Sequence, residues 1–356
     1  MRYIVWLIFL LTGISAFSQD TTSNPVLLGL KPQYGYILPH TESIRPLSNS
    51  NPYGMELDYG WVLSRQSDWK RCNCYSRAGF SASFINFGNP EILGSAASVI
   101  MFAEPYLNYG SPVWMSMRMG VGPSYVTKVY DEKNNPQNLF FSSHLSFIIH
   151  MDFMLNFRLN EHWTGKIFGK YHHISNGGVE QPNMGINFPT FGVGMDYVFE
   201  SPKLIEREPL PIESEGIVPS VAVFGSLNNV MEEDSKVKKR TFGYGFLVKG
   251  RHKIAKINAL NIGFEGFWDG AVKEKSKGER EHRQFSILTG HDLIFGRFIF
   301  SQYWGSYLYA PYYEKIFFQR YSLTYNLTGN WRVGVNLKAH GEVAQNFNIN
   351  VEYDLH

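Results

Sequence analysis

Cysteine is nearly absent from this 356-residue chain: there are two, Cys72 and Cys74, with one residue between them. That excludes a disulfide framework, and no paired Cys or Cys/His spacing suggests a zinc site. In an oxidising compartment the pair is expected to act as a local staple or to stay as two thiols. Charge is scarce as well, at 18% of residues with a formal net charge of +2, which excludes electrostatic capture of nucleic acid. No Walker or Rossmann glycine pattern occurs, so the sequence implies no cofactor. Beyond the first residues no stretch approaches the roughly 20 apolar residues of a membrane-spanning helix, so any passage through a bilayer has to use strands. What is plentiful is aromatic: 16% of residues, with 27 Phe and 21 Tyr, spread along the whole chain.

The first residues, Met1 to Asp20, combine one Arg, an apolar run from Tyr3 to Leu11 and small residues up to Ser18. This three-part pattern predicts a secretory signal peptide over 1–18. From Leu145 the chain alternates Leu145, Phe147, Ile149, Met151, Phe153, Leu155, Phe157 and Leu159 with Ser146, Ile148, His150, Asp152, Met154, Asn156 and Arg158. Period two over such a length predicts a strand with one apolar and one mostly polar face, long enough for a tilted crossing of an outer membrane. Comparable segments are expected at 26–37, 53–64, 77–87, 97–108, 112–126, 140–159, 163–175 and 190–199. A second set is expected at 217–228, 239–250, 254–268, 283–295, 297–309, 315–328, 331–340 and 345–355. An even count, alternation and an aromatic-rich apolar face predict an all-β fold, an antiparallel transmembrane β-barrel in the outer membrane.

The chain also repeats itself. Phe153, Leu155, Phe157, Leu159 and Trp163 align at one offset with Tyr321, Leu323, Tyr325, Leu327 and Trp331, and Phe191–Phe199 aligns with Phe347–Leu355 at an offset twelve residues shorter. The expected organisation is therefore an eight-stranded barrel over 19–200, a linker over 201–216 and a second, degenerate eight-stranded barrel over 217–356. One sixteen-stranded barrel is the alternative. The links 127–139, 176–189, 229–238 and 269–282 are expected as long outer loops, and Asn160-Glu161-His162 as a short inner turn.

The twelve residues missing from the second copy fall in the loop Asn176–Asn187, directly after His172-His173-Ile174-Ser175. Trp163, Ile167, Tyr171, His173 and Ser175 share one parity, so His173 and Ser175 face lipid at the outer end of their strand. A His and a Ser two apart on one face pair a base with a hydroxyl nucleophile. In the second copy those positions are Gly341 and Val343, whereas the inward-facing His172 keeps a counterpart in His340.

His173-x-Ser175-Asn176, Asn183-x-Gly185, the strand end Tyr197-Val198-Phe199 and, more loosely, Glu104-Pro105-Tyr106 resemble the outer-membrane lipid A 3-O-deacylases, the PagL-type acyloxyacyl hydrolases, over about residues 25–200. The resemblance implies an eight-stranded barrel that hydrolyses the ester-linked acyl chain at the 3-position of lipid A in lipopolysaccharide. It makes Ser175 the nucleophile and His173 the base, with Asn176, Asn183 and Gly185 in the supporting loop. The family's acidic third residue, fourteen after the His, falls here on Asn187, whose amide accepts a hydrogen bond but supplies no charge. Glu180, in the same loop, is a substitute acid if the loop folds back; Asp196 faces the lumen. The partners implied are lipid A and the membrane, with no metal.

Two further readings stand beside this one: a non-catalytic lipid-binding or structural barrel, and a pore, which requires sixteen-strand closure. His144, His150 and Asp152 share an inward parity and are expected to form a hydrogen-bonded plug. The charges of 232–240 and 273–283 are expected in outer loops as solvated runs or as docking points for lipid A phosphates.

Overall fold

A computed structural model describes residues 24–355 apart from 40, 108, 110, 178–179, 181, 203, 205–206, 209–210, 212–215, 232–237, 277–280 and 342. The expected signal peptide, much of 201–216 and the acidic run 232–234 lie outside the described residues. The alternating segments form two closed antiparallel barrels. The first joins β1 (Val26–Gly35), β2 (Tyr53–Leu63), β3 (Ser76–Asn86), β4 (Ser95–Leu107), β5 (Val113–Val126), β6 (Leu145–Arg158), β7 (Trp163–Ser175) and β8 (Ile186–Val198). The second joins β9 (Ile217–Met231), β10 (Lys238–Ala255), β11 (Asn258–Trp268), β12 (Arg283–Phe295), β13 (Phe298–Tyr309), β14 (Phe317–Asn326), β15 (Trp331–His340) and β16 (Val343–Asp354).

Closure is set by which strand β8 meets. It pairs back onto β1, with Leu30 opposite Met195, and β16 pairs onto β9, with Val351 opposite Val223. Two barrels of eight therefore form, and the sixteen-stranded closure on which a pore depended does not. Outward parity carries the apolar side chains: Phe153, Ile167, Phe191, Ile262 and Trp304 are all more than half exposed. So many uncovered rings and aliphatic chains on a barrel make sense only against hydrocarbon.

Eight strands leave an interior that side chains just fill, and here they fill it with charge. Arg118 reaches Glu56 at 3.2 Å, Asp58 at 2.7 Å and Glu104 at 2.8 Å, over the Phe102 ring. Arg77 joins Glu104 at 2.6 Å and also meets Asp196, while Lys170 bridges Glu56 at 2.7 Å and Asp152 at 3.1 Å. Each of these charges in the first barrel has an opposite partner, which offsets the large cost of taking it out of water. Arg118→Ala, which strips three buried carboxylates of one cation, is expected to cost about 3–5 kcal/mol. Urea titration in lipid vesicles, followed by the gel-mobility shift of the folded barrel, measures it.

The end bearing the long loops, here the outer end, is stopped by an apolar cluster that includes Ile44, Leu47, Phe87, Leu93, Phe140, Phe141, Ile174 and Phe188. Phe140 and Phe141 were expected to begin the sixth strand; instead they leave the sheet and turn into the mouth, both fully buried, and β6 starts at Leu145. A mouth that would otherwise expose the barrel lining to water takes the nearest rings. His144 likewise leaves the inward face. It lies at the rim, stacked on Tyr125 at 5.5 Å, while His150 bonds Asp152 inside at 2.6 Å.

Inner links are short in the second barrel, with two residues between β10 and β11 and two between β12 and β13. The link between β2 and β3 departs from that rule: it holds a helix, α1 (Gln66–Cys72), followed by a Cys72–Cys74 disulfide. Beside it Trp69, Tyr75, Tyr106 and Trp114 pack with Leu204, and Arg207 lies over Tyr75 at 5.9 Å. The start of the inter-barrel segment is thus laid along the inner rim of the first barrel. In the second barrel the outer link 269–282 contains α2 (Gly270–Lys275), its first turn capped by Asp269.

Candidate active site on the outer face of the first barrel

Two strands and one loop build the site. β7 carries His173 and Ser175, and the antiparallel register places Asn187 of β8 directly opposite His173. Directly opposed residues in a sheet bring their Cβ atoms to about 4.5–5.5 Å, so a separation of fourteen in sequence becomes a side-chain pair in space. His173 Nδ1 and Asn187 Oδ1 are 2.6 Å apart, and His173 Nε2 lies 3.0 Å from Ser175 Oγ. With the amide oxygen toward the ring, Nδ1 carries the proton and donates it to Asn187. Nε2 is then left as the acceptor aimed at the serine hydroxyl, the tautomer a general base requires.

Ser175 and Asn187 are 8% and 6% exposed, although Tyr171 and Ile167, on the same outward parity of β7, are 45% and 54% exposed. The loop accounts for the difference. Asn176 N–H donates to Asn183 Oδ1 at 3.2 Å, and Asn176 Nδ2 donates to Ser142 Oγ at 3.0 Å and to the Glu180 carbonyl at 3.1 Å. Met184 and Gly185 donate their N–H groups to the Leu139 and Phe140 carbonyls at 3.1 and 3.2 Å. The loop after β7 is therefore tied to the loop before β6 and folds over the pair. The Gly177 N–H points at Ser175 Oγ from 3.5 Å.

Gly185 packs closely against His173 and Ser175. Its φ is +66°, a left-handed conformation that favours glycine, and a Cβ there would stand 2.9 Å from His173 Cε1 and 3.1 Å from Ser175 Cβ. Gly185→Ala must push the imidazole or the serine aside, and misplacement near 1 Å costs about 100-fold in rate. Deacylation assays on the folded variant are expected to show that loss in kcat.

The structure brings His173, Ser175, Asn187, Asn176, Asn183 and Gly185 together as the sequence reading groups them. Glu180 is not brought to the ring: its side chain is exposed and only its carbonyl takes part, while Asn187 occupies the ring nitrogen. Asp196 is inside, paired with Arg77 and Lys166. His172, next to the site in sequence, faces the interior, stacks on Phe188 at 4.5 Å and is 3.1 Å from both Gln33 and Thr190. Ser142 and Gly177 escaped the sequence reading. Ser142 acts through a contact between loops that no periodicity encodes; Gly177 had a signal in Asn176-Gly177-Gly178, since glycines after a strand mark a turn with free N–H groups.

Residues 28–196 match the lipid A 3-O-deacylase (PagL) family, and residues 219–356 match the C-terminal domain of acyloxyacyl hydrolases. No curated protein matches the sequence. Among solved structures, that of the outer membrane enzyme PagL is similar at 16% identity, covering 48% of this chain and 98% of that one, with a TM-score of 0.34. Neisserial surface protein A (NspA) is similar at 10% identity, with 49% and 97% coverage and a TM-score of 0.31.

Proposed function

We propose, from the premise that the chain belongs through its first barrel to the lipid A 3-O-deacylase (PagL) family, that it is an outer-membrane esterase that removes the 3-linked acyl chain of lipid A. Family membership supports lipid A deacylation, and the apolar exterior of both barrels supports the membrane setting. One observation carries the finer reading: Ser175, His173 and Asn187 are linked in a row by contacts of 3.0 and 2.6 Å on the lipid-facing side. A hydrogen-bonded chain of this kind, a hydroxyl on an imidazole oriented by a third group, is the arrangement that activates a serine.

In this mechanism Ser175 Oγ attacks the ester carbonyl while its proton passes to His173 Nε2. The charge developing on the carbonyl oxygen is met by the N–H of Gly177. The bond to the sugar oxygen breaks, that oxygen takes the proton from His173, and an acyl-serine remains. Water then attacks it, with His173 again accepting and returning the proton, and the fatty acid leaves. Asn187 holds the ring in the productive tautomer throughout. The loop shields the pair from bulk solvent while leaving room for the one water that hydrolysis consumes, which strengthens these interactions.

A fluorophosphonate ester tests the assignment without depending on substrate. It is expected to label wild type at Ser175, to label His173→Ala at least 100-fold more slowly and to leave Ser175→Ala unlabelled. Equal labelling of wild type and Ser175→Ala sinks the assignment.

A further inference from the structure

We propose that the lipid-facing surface of the second barrel forms one wall of the cleft that receives the acyl chain cut at Ser175, with Phe347 standing beside Gly177 and Tyr321 continuing its row. The inference rests on the esterase reading of Ser175 and assigns the second barrel a task in substrate selection.

The two barrels meet at the site. A Cβ built on Gly177, two residues past Ser175, lies 3.8 Å from the ring of Phe347. Phe347 does not stand alone on that face. The register puts Tyr321 opposite Leu337 and Leu337 opposite Phe347, so the three form one apolar row across β14, β15 and β16. On the first barrel, Met151, Tyr171 and Pro189 form the corresponding row across β6, β7 and β8, one outward position inward of His173.

The geometry of the reaction sets the occupant. An ester carbonyl has to come within about 3–3.5 Å of Ser175 Oγ. The chain attached to it must then run from the outer rim toward the hydrocarbon layer, past Tyr171. Both walls remain open on that path: Tyr171, Phe347 and Tyr321 are 45%, 40% and 39% exposed, so the aromatic faces have not closed on one another. An apolar slot headed by a nucleophile fits the scissile acyl chain, and the second wall limits how much of its length is held.

The test uses the full chain and 3-hydroxyacyl esters of glucosamine phosphate with 10, 12, 14 and 16 carbons. In Phe347→Ala and Tyr321→Ala the ratio of kcat/KM for the best chain to that for the 10-carbon chain is expected to fall about tenfold, mostly through KM. Ile262→Ala, on the exposed outward face of β11, is expected to keep the wild-type ratio. An unchanged ratio in Phe347→Ala, or an equal change in Ile262→Ala, overturns the proposal.

A second arm needs no turnover. In Ser175→Ala, a benzophenone amino acid replacing Phe347 is expected to cross-link purified lipid A at least fivefold over phospholipid, and one replacing Ile262 to show no such preference. Equal preference at both positions means that only bulk lipid fills the cleft, and the proposal fails while the esterase can stand. Preference at Phe347 in a chain that hydrolyses no ester keeps the cleft and removes the esterase.

Discussion

Ser175→Ala is expected to lower the release of 3-linked acyl chains by about 10⁴-fold or more, and His173→Ala by a comparable factor, with the double variant no worse than either alone. In the proposed mechanism, without Oγ there is nothing to acylate, and without Nε2 at 3.0 Å nothing takes its proton. Groups that act as one unit lose their effect together, so the losses do not add. Both side chains point away from the ionic interior, and neither change removes a charge from it. The variants should therefore fold, showing the same heat-dependent gel shift as wild type. A Ser175→Ala protein that keeps a tenth of wild-type turnover would mean that another group is the nucleophile.

Asn187 carries the second large effect. Asn187→Leu removes the acceptor 2.6 Å from Nδ1 and lets the ring adopt either tautomer and rotate; kcat is expected to fall about 10³-fold with KM little changed. Loss of the third group in Ser-His-Asp enzymes costs on the order of 10⁴-fold, and the neutral amide has less to lose because it never stabilised the imidazolium by charge. By the same argument Asn187→Asp, nearly isosteric, restores a full negative charge beside the ring and is expected to raise kcat about tenfold. Single-turnover hydrolysis of purified lipid A separates these effects from product release. A wild-type rate in Asn187→Leu would show that the amide plays no part in catalysis and would favour the non-catalytic lipid-binding barrel.

Much of this site is legible in the sequence because it is built from strands. Parity alone puts His173 and Ser175 on one outward face, and a separation of fourteen across a hairpin becomes the direct pairing of His173 with Asn187. The twelve residues absent from the second copy correspond to a real difference: β15 and β16 are joined by residues 341–342 alone, whereas β7 and β8 enclose a ten-residue loop. What period two does not encode is where chain ends meet. Whether β8 closes on β1 or continues to β9 is a long-range choice, and alternation along each strand is the same in both cases.

Loops were less legible for a related reason. Phe140 and Phe141 continue an apolar pattern toward β6, yet the open mouth of the barrel competes for them and wins. Ser142 then supports Asn176 through a loop-to-loop contact at 3.0 Å. The approach of Phe347 to Gly177 depends on how two separate barrels stand beside each other, which no local pattern records.

The central claim is that a serine on the outside of the first barrel cuts lipid A. Mass spectrometry of lipid A from cells that express the full chain, Ser175→Ala or no protein addresses it directly. The account predicts a new species with the wild-type chain, lighter by one 3-linked hydroxyacyl group, and unaltered lipid A in the other two cultures. Lipid A that is unchanged by a correctly folded wild-type chain, or trimmed equally by Ser175→Ala, would contradict it.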